Sequence, residues 1–409
     1  MKKIILLIIF PAALCLGQNF QLERLLITGA NPVDTGIIRR ELRIKEGNSY
    51  SESSLERERA WMLSRRLGKR IDMQIFPGTA DSSRILLLVV EETARWSVVP
   101  LVNINGLFGL YGGVEVGVRN AAGSGSRLAA FFQTGGITEA GLRWDNPWMV
   151  LGTRLFCSIE FSHLSLPYRY GDHPTDFPLR EQALMFSAGP RFGRLFRLGL
   201  ILAGARVYCG DPGASFSGRQ RETTWTAGYV LHYDSRDWPL YPTSGALVQA
   251  EMTWTGPDRV RVLRRSLIET RFYVSVLNKD IIAWQARLIL SGGTVPVYMR
   301  LHQGGGDSMR GYPYGSMAGD NSVFLSLEYR FPLALAPRPL YGLNAGLAGV
   351  IFLDTGTAWF GGDKFTRSSF HSSAGLGLHL IWDGLVLRAE YGYHGRGWGF
   401  LSVGTSVKF

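Results

Sequence analysis

The sequence predicts an all-β transmembrane barrel of about sixteen antiparallel strands, preceded by a small α+β domain of order β-α-α-β-β. Three observations predict it. From Arg95 onward, hydrophobicity alternates with period two in one short segment after another, with no helical pattern between them. Charged residues are only 19% of the 409, against 12% aromatics and 50 glycines, which suits an apolar outer wall better than a soluble surface. Beyond the N-terminus no unbroken apolar run reaches the length of about 18 residues that a membrane helix needs, so strands must make any crossing.

The first element is a secretory leader, residues 1–17. Met1-Lys2-Lys3 is its basic start, Ile4 to Leu16 its apolar core, and Cys15-Leu16-Gly17 a small-x-small cleavage site. A lipidated Cys15 is the alternative, disfavoured by the bulky Leu14 before it. The mature chain then holds Cys157 and Cys209. Cys157 alternates with Leu155, Ile159 and Phe161 on an apolar face, so both are read as small apolar residues rather than a disulfide.

Residues 18–93 form the small domain. Leu22 to Thr28 is a strand ended by Gly29. Asp34 is the expected N-cap of a helix over Thr35 to Leu42. Ser51, with Ser54 competing, caps a second helix over Leu55 to Leu67, and Arg70 to Phe76 and Arg84 to Glu91 make a hairpin across Pro77-Gly78. This order, with Leu25-Leu26-Ile27-Thr28-Gly29-Ala30-Asn31 at its opening and Lys45-Glu46-Gly47-Asn48-Ser49-Tyr50 at a turn, resembles a POTRA domain. The resemblance implies a periplasmic module able to pair an extended peptide along a sheet edge.

Residues 94–409 form the barrel. Val114, Val116 and Val118 alternate with Glu115, Gly117 and Arg119; Leu385, Leu387, Ala389 and Tyr391 alternate with Arg388, Glu390 and Gly392. Divided among about sixteen strands, this length leaves about 20 residues for each strand and its connection, and an even count returns both ends to one side. Trp144, Trp148, Trp359 and Phe409 near strand ends are expected in aromatic girdles. On this inside-out arrangement Leu325→Arg or Leu387→Arg impairs folding and Arg388→Leu is better tolerated, while His379 is a solvated lumen residue. The net charge of +11 is carried mostly by the barrel, where basic residues alternate with apolar ones. That favours a basic lumen or contact with anionic lipid headgroups over nucleic-acid binding.

Gly304-Gly305-Gly306-Asp307-Ser308-Met309-Arg310-Gly311-Tyr312 organises the rest. It lies in a polar, Gly-rich segment from Val295 to Asn321. Val323, Leu325, Leu327 and Tyr329 face outward, so Glu328 faces inward; Leu347, Ile351 and Leu353 face outward, so Asp354 faces inward. Arg310 is therefore expected at the tip of a loop folded into the lumen and locked there by Glu328, Asp354 or both. A seam is expected where the first segment, Arg95 to Asn103, meets the last, Phe400 to Phe409. Pro100 lacks a donor and Gly404 does little to stiffen the strand.

With these parts in place, the chain resembles the BamA/TamA family of outer-membrane assembly proteins. Met309-Arg310-Gly311-Tyr312 is similar to that family's loop motif, with Met in place of Val. Asp234-Ser235-Arg236-Asp237 before Pro242-Thr243-Ser244-Gly245, and Phe352-Leu353-Asp354-Thr355-Gly356, resemble two of its strand signatures. Ser402 to Phe409, with Val407 and the terminal Phe409, resembles a barrel-targeting strand. The resemblance implies a bacterial outer-membrane location with the small domain in the periplasm. It also implies unfolded outer-membrane protein clients, periplasmic accessory proteins, and contact with outer-membrane lipids and lipopolysaccharide. A single small domain is fewer than the best-known members carry. A passive channel on the same barrel is the alternative.

No enzymatic role, cofactor or metal is expected. Gly306-Asp307-Ser308 mimics a lipid-hydrolase motif but lacks a following helix. Gly123-Ser124-Gly125 and Gly375-Leu376-Gly377 lack the helix and acidic partner of a nucleotide site. No Cys/His spacing suggests a metal site.

Overall fold

The computed structural model describes residues 19–405 except 30–31, 66, 93, 106, 122–124, 149–153, 277–278, 335–344, 364–365, 367–368, 383–384 and 396–398. The leader, Val407 and Phe409 lie outside the described residues.

The small domain comprises β1 (Phe20–Thr28), α1 (Pro32–Glu41), β2 (Ser49–Tyr50), α2 (Glu52–Ser64), β3 (Arg70–Pro77) and β4 (Ser83–Glu91). Its sheet runs β2-β1-β4-β3, with β1 parallel to β4 and the other pairs antiparallel. A parallel pair needs a crossover, and the two helices lie within it. Leu22 and Leu25, Leu86, Leu88 and Val90 meet Ile38, Leu55 and Met62 in one apolar core. Two expectations change. The first helix begins at Pro32, which suits a first helical turn, so Asp34 lies inside that turn and is not its cap. Ser54 does not compete with Ser51: each side chain bonds the other's backbone N–H, a capping box at 3.3 and 3.1 Å. The two-residue β2 is too short to leave a period-two signature.

Sixteen antiparallel strands close the barrel. The first eight are β5 (Trp96–Asn105), β6 (Gly109–Arg119), β7 (Arg127–Gly135), β8 (Thr138–Asn146), β9 (Leu155–Tyr168), β10 (Phe177–Phe192), β11 (Phe196–Cys209) and β12 (Arg221–Asp234). After β13 (Gly245–Gly256), β14 (Leu263–Ser275) and β15 (Ile281–Gly293), a long loop carries the two-stranded ribbon of β16 (Leu301–Gln303) and β17 (Met317–Gly319). The wall resumes with β18 (Asn321–Ala334), β19 (Ala345–Trp359), β20 (His371–Trp382), β21 (Leu385–Tyr393) and β22 (Phe400–Gly404). The polarity is inverted as expected. Leu327, Ile351, Leu353, Leu376, Leu378 and Leu380 are exposed, while Ser326, Glu328, Asp354, His379 and Glu390 are buried inside. Cys157 and Cys209 are free and buried.

The small domain packs against the barrel end at which β5 begins. Glu41 accepts hydrogen bonds from Trp148 Nε1 (2.9 Å) and Arg191 Nη1 (3.1 Å), and Glu58 accepts one from Arg194 (2.6 Å). Arg65 reaches Asp234 at 3.3 Å. The guanidinium groups of Arg191 and Arg194 lie over the rings of Trp148 and Trp61 at 4.4 and 4.0 Å. Trp148 is therefore a docking residue rather than part of a lipid-facing girdle; it is only 6% exposed.

Candidate functional site

The loop between β15 and β18 is shaped by its glycines and one serine. Gly304 and Gly305 take positive φ (+121° and +81°), as does Gly311 (+88°), which a side chain would resist. The Ser308 hydroxyl accepts from Gly304 N–H and donates to its carbonyl, both at 2.9 Å, and Gly305 N–H reaches the Tyr312 carbonyl at 3.0 Å. Met309 packs with Met317 and Phe324 below this tight turn. The turn points Arg310 at the wall formed by β18 to β21.

There the arginine is fully enclosed. Its Nε and Nη2 bind both oxygens of Asp354 at 2.8 and 2.7 Å, and its backbone N–H adds a third bond at 3.1 Å. Nη1 donates to Glu328 at 2.5 Å and to Glu390 at 2.7 Å, and Nη2 also donates to Ser326 at 3.0 Å. All five guanidinium N–H groups thus meet an acceptor. The ring of Phe352 lies 3.6 Å from the guanidinium carbon. Arg330 binds Glu328 at 2.8 Å and Arg388 binds Glu390 at 3.2 Å, so three buried arginines face three buried carboxylates. Burial of such charges is tolerable only with this near-complete pairing.

Of the expected lock, Arg310, Glu328 and Asp354 come together directly. Gly311 lies against the backbone of Gly392: a Cβ on either would come within 3 Å of the other's backbone. Tyr312 holds the far side of the turn, donating to the Ser372 carbonyl at 3.2 Å and stacking on His394 at 4.5 Å. Glu390, Ser326 and Phe352 were not anticipated as partners. Each shares a parity with a residue recognised as inward, so the signal was present; the lateral order of the strands was not. Two expectations are corrected. His379 is 1% exposed and bonded to Glu390 at 3.2 Å, so it is not solvated. Arg388 is 3% exposed and joins Glu390 to Asp307 of the loop (3.1 Å), so Arg388→Leu would open the cluster.

The seam lies one strand from this cluster. Among the described residues β22 pairs with β5 at two positions only, Val403 with Ile104 and Gly404 with Asn103. The Thr405 hydroxyl extends the contact, accepting from Val102 N–H at 3.2 Å and lying 3.3 Å from the Val102 carbonyl. Pro100 sits on the stretch of β5 beyond these contacts, opposite Val114 of β6. A Cβ at Gly404 would meet Asn103 and Arg388 only at ordinary contact distance, so Gly404 is not sterically required. The loop abuts the seam, with Gly306 beside the Ser402 side chain.

The Omp85 superfamily domain matches residues 152–396, which span β9 through β21. Among solved structures, BamA from Haemophilus ducreyi lacking POTRA domains 1–3 is similar, with a TM-score of 0.61 and 16% identity, over 95% of this chain and 85% of that one. CdiB from Escherichia coli gives a TM-score of 0.63 at 14% identity over 94% and 75%. CdiB from Acinetobacter baumannii gives 0.59 at 15% over 95% and 74%. No curated sequence matches the chain. The resemblance to the BamA/TamA family carried by Met309-Arg310-Gly311-Tyr312 is thus upheld by an independent match over more than half of the residues, and the chain belongs to the Omp85 superfamily.

Proposed function

We propose that this outer-membrane barrel inserts or translocates other polypeptides, with its small N-terminal domain as a POTRA-like module in the periplasm that receives unfolded clients. The observation that carries the reading is the seam. Among the described residues β22 meets β5 at two register positions, and when the first and last strands of a barrel part, their backbone donors and acceptors are costly in hydrocarbon until an incoming strand pairs with them. A passive channel is disfavoured by what fills its path: the Arg310 loop occupies the lumen and the small domain sits at one mouth. The role is read as non-enzymatic, because the charged groups of the lumen cluster are engaged with one another.

A disulfide between Ile104→Cys and Val403→Cys, which are register partners, tests it. Oxidised protein should fold but fail to support appearance of other barrels or of a secreted client, and reductant should restore the activity. Unchanged activity of the fully cross-linked protein would defeat the seam mechanism and favour the channel.

A further inference from the structure

We infer that the outer wall of β9 to β12 carries a docking site for the phosphate of a membrane lipid, at the barrel end away from the small domain. Strand register sets the site in rungs. Arg180 of β10, Tyr208 of β11 and Arg221 of β12 are successive cross-strand partners. One rung nearer the small domain come His163, Gln182, Arg206 and Thr223. The next rung is Phe161, Leu184, Gly204 and Trp225, where the exposed apolar wall begins. These side chains share one parity with the exposed Leu184, Leu200 and Leu202, so they point out of the barrel and not into its lumen.

The three arginines are exposed and line a cavity of about 690 Å³, joined by Arg219 from the loop between β11 and β12. The guanidinium carbons of Arg180 and Arg221 flank the Tyr208 ring at 5.8 and 6.0 Å. The carboxylates at the cavity are already engaged. Glu222 accepts from Phe216 N–H, Ser217 N–H and Tyr298 Oη, and Asp258 is paired with Arg261. Among the described residues none of Arg180, Arg206 and Arg221 forms an ion pair. Like charges on neighbouring strands repel, and an anion between them removes that cost. Guanidinium forks suit phosphate oxygens, and the apolar rungs directly below give acyl chains a continuous surface. The occupant is therefore a phosphorylated lipid of the surrounding leaflet, headgroup on the arginines and chains along Phe161, Leu184 and Leu202. The inference rests on the membrane-barrel reading.

The test is native mass spectrometry of the full chain in detergent with phosphatidic acid or phosphatidylcholine added. The parent should retain phosphatidic acid selectively, and R180Q/R206Q/R221Q should lose that preference by about ten-fold or more, the factor for one lost charge-assisted hydrogen bond. R57Q, on an exposed position of α2, should behave as the parent. The single variants R180Q and R221Q should each lose part of the preference, and they serve if the triple variant does not fold. Equal retention by the folded variants overturns the proposal. So does displacement of phosphatidic acid by inorganic phosphate, which would mark a site for a free anion. Protease protection after insertion into phosphatidylcholine vesicles tests the membrane-barrel reading separately. Variants that pass it yet lose the acidic lipid support the site.

Discussion

Gly311 and Gly392 touch backbone to backbone: a Cβ on Gly392 would stand 2.4 Å from the Gly311 nitrogen. Gly392 is the register partner of Gly375, and Gly375 that of Phe352. The pair of glycines leaves a trough in the lumen wall, into which the Phe352 ring and the loop tip both fit. Gly392→Ala should therefore expel the tip, because the clash falls on backbone that cannot rotate away. New protease cuts between Leu301 and Asn321 are the readout; an unchanged digestion pattern would show that the tip has room to move.

Arg310→Ala and Arg310→Lys should both release the loop. Lys cannot serve two oxygens of Asp354 while also reaching Glu328 and Glu390. Breaking a buried cluster of this kind costs about 3–5 kcal/mol. Because Glu390 is a third carboxylate partner, the informative background is Glu328→Gln, Asp354→Asn and Glu390→Gln together. Adding Arg310→Ala there should do little further harm, and fully additive losses would place the energy of the arginine elsewhere.

Leu327→Arg or Leu387→Arg should lower folding yield in liposomes, since a charge at the middle of the lipid face costs about 2–4 kcal/mol. Gln249→Leu, which removes an amide that donates to Glu251 at 2.6 Å, is the lumen control and should fold nearly as the parent. Equal yields would contradict the inverted polarity.

The small domain should loosen when Glu58→Arg breaks the contact with Arg194, and regain its place when Arg194→Glu is added. The pair is nearly buried, so the single change should cost up to about 3 kcal/mol of docking. Cross-linking between the domain and the turn after β10 reads this out; a Glu58→Arg variant that stays docked would assign the docking to the Glu41 contacts instead.

Asp172, in the loop after β9, holds the long loop through His302 (3.3 Å) and Arg300 (3.1 Å). Burial alone would raise its pKa, but these two partners outweigh it and hold the carboxyl below its ordinary range. A lowered folded value means that the contact contributes fully above the ordinary carboxylate range and is lost as pH falls through the folded value. Hydrogen-exchange protection factors over residues 297–303, taken against the intrinsic rate at each pH, should thus fall on acidification from neutral pH, and Asp172→Asn should flatten that response. A response surviving in Asp172→Asn would assign the sensitivity to another group.

Much of this was legible in the sequence because a strand's parity is a local property. Glu328 and Asp354 were assigned inward by their outward neighbours alone, and both face Arg310. What parity lacks is the lateral position of strands remote in sequence. Glu390 is eighty residues from Arg310, and only closure of the wall brings β21 beside the loop. The same holds for Trp148: its position near a strand end suggested a membrane girdle, and only the docked domain shows that Glu41 takes its N–H. The interlocked Ser51 and Ser54 were recognisable individually, but their reciprocity depends on backbone angles at the cap.

The placement of Glu390 makes loop and seam thermodynamically reciprocal. Its carboxylate holds Arg310 and, through Arg388, Asp307; its carbonyl accepts the Ser402 hydroxyl of β22 at 3.3 Å. Drawing β22 away from β21 breaks a bond to the same residue that retains the loop. By linkage, whatever favours the open edge must weaken loop retention by an equal free energy, and a tighter loop must raise the threshold for opening. Faster hydrogen exchange in β22 of Arg310→Ala would measure that coupling, and identical exchange in parent and variant would set it at zero.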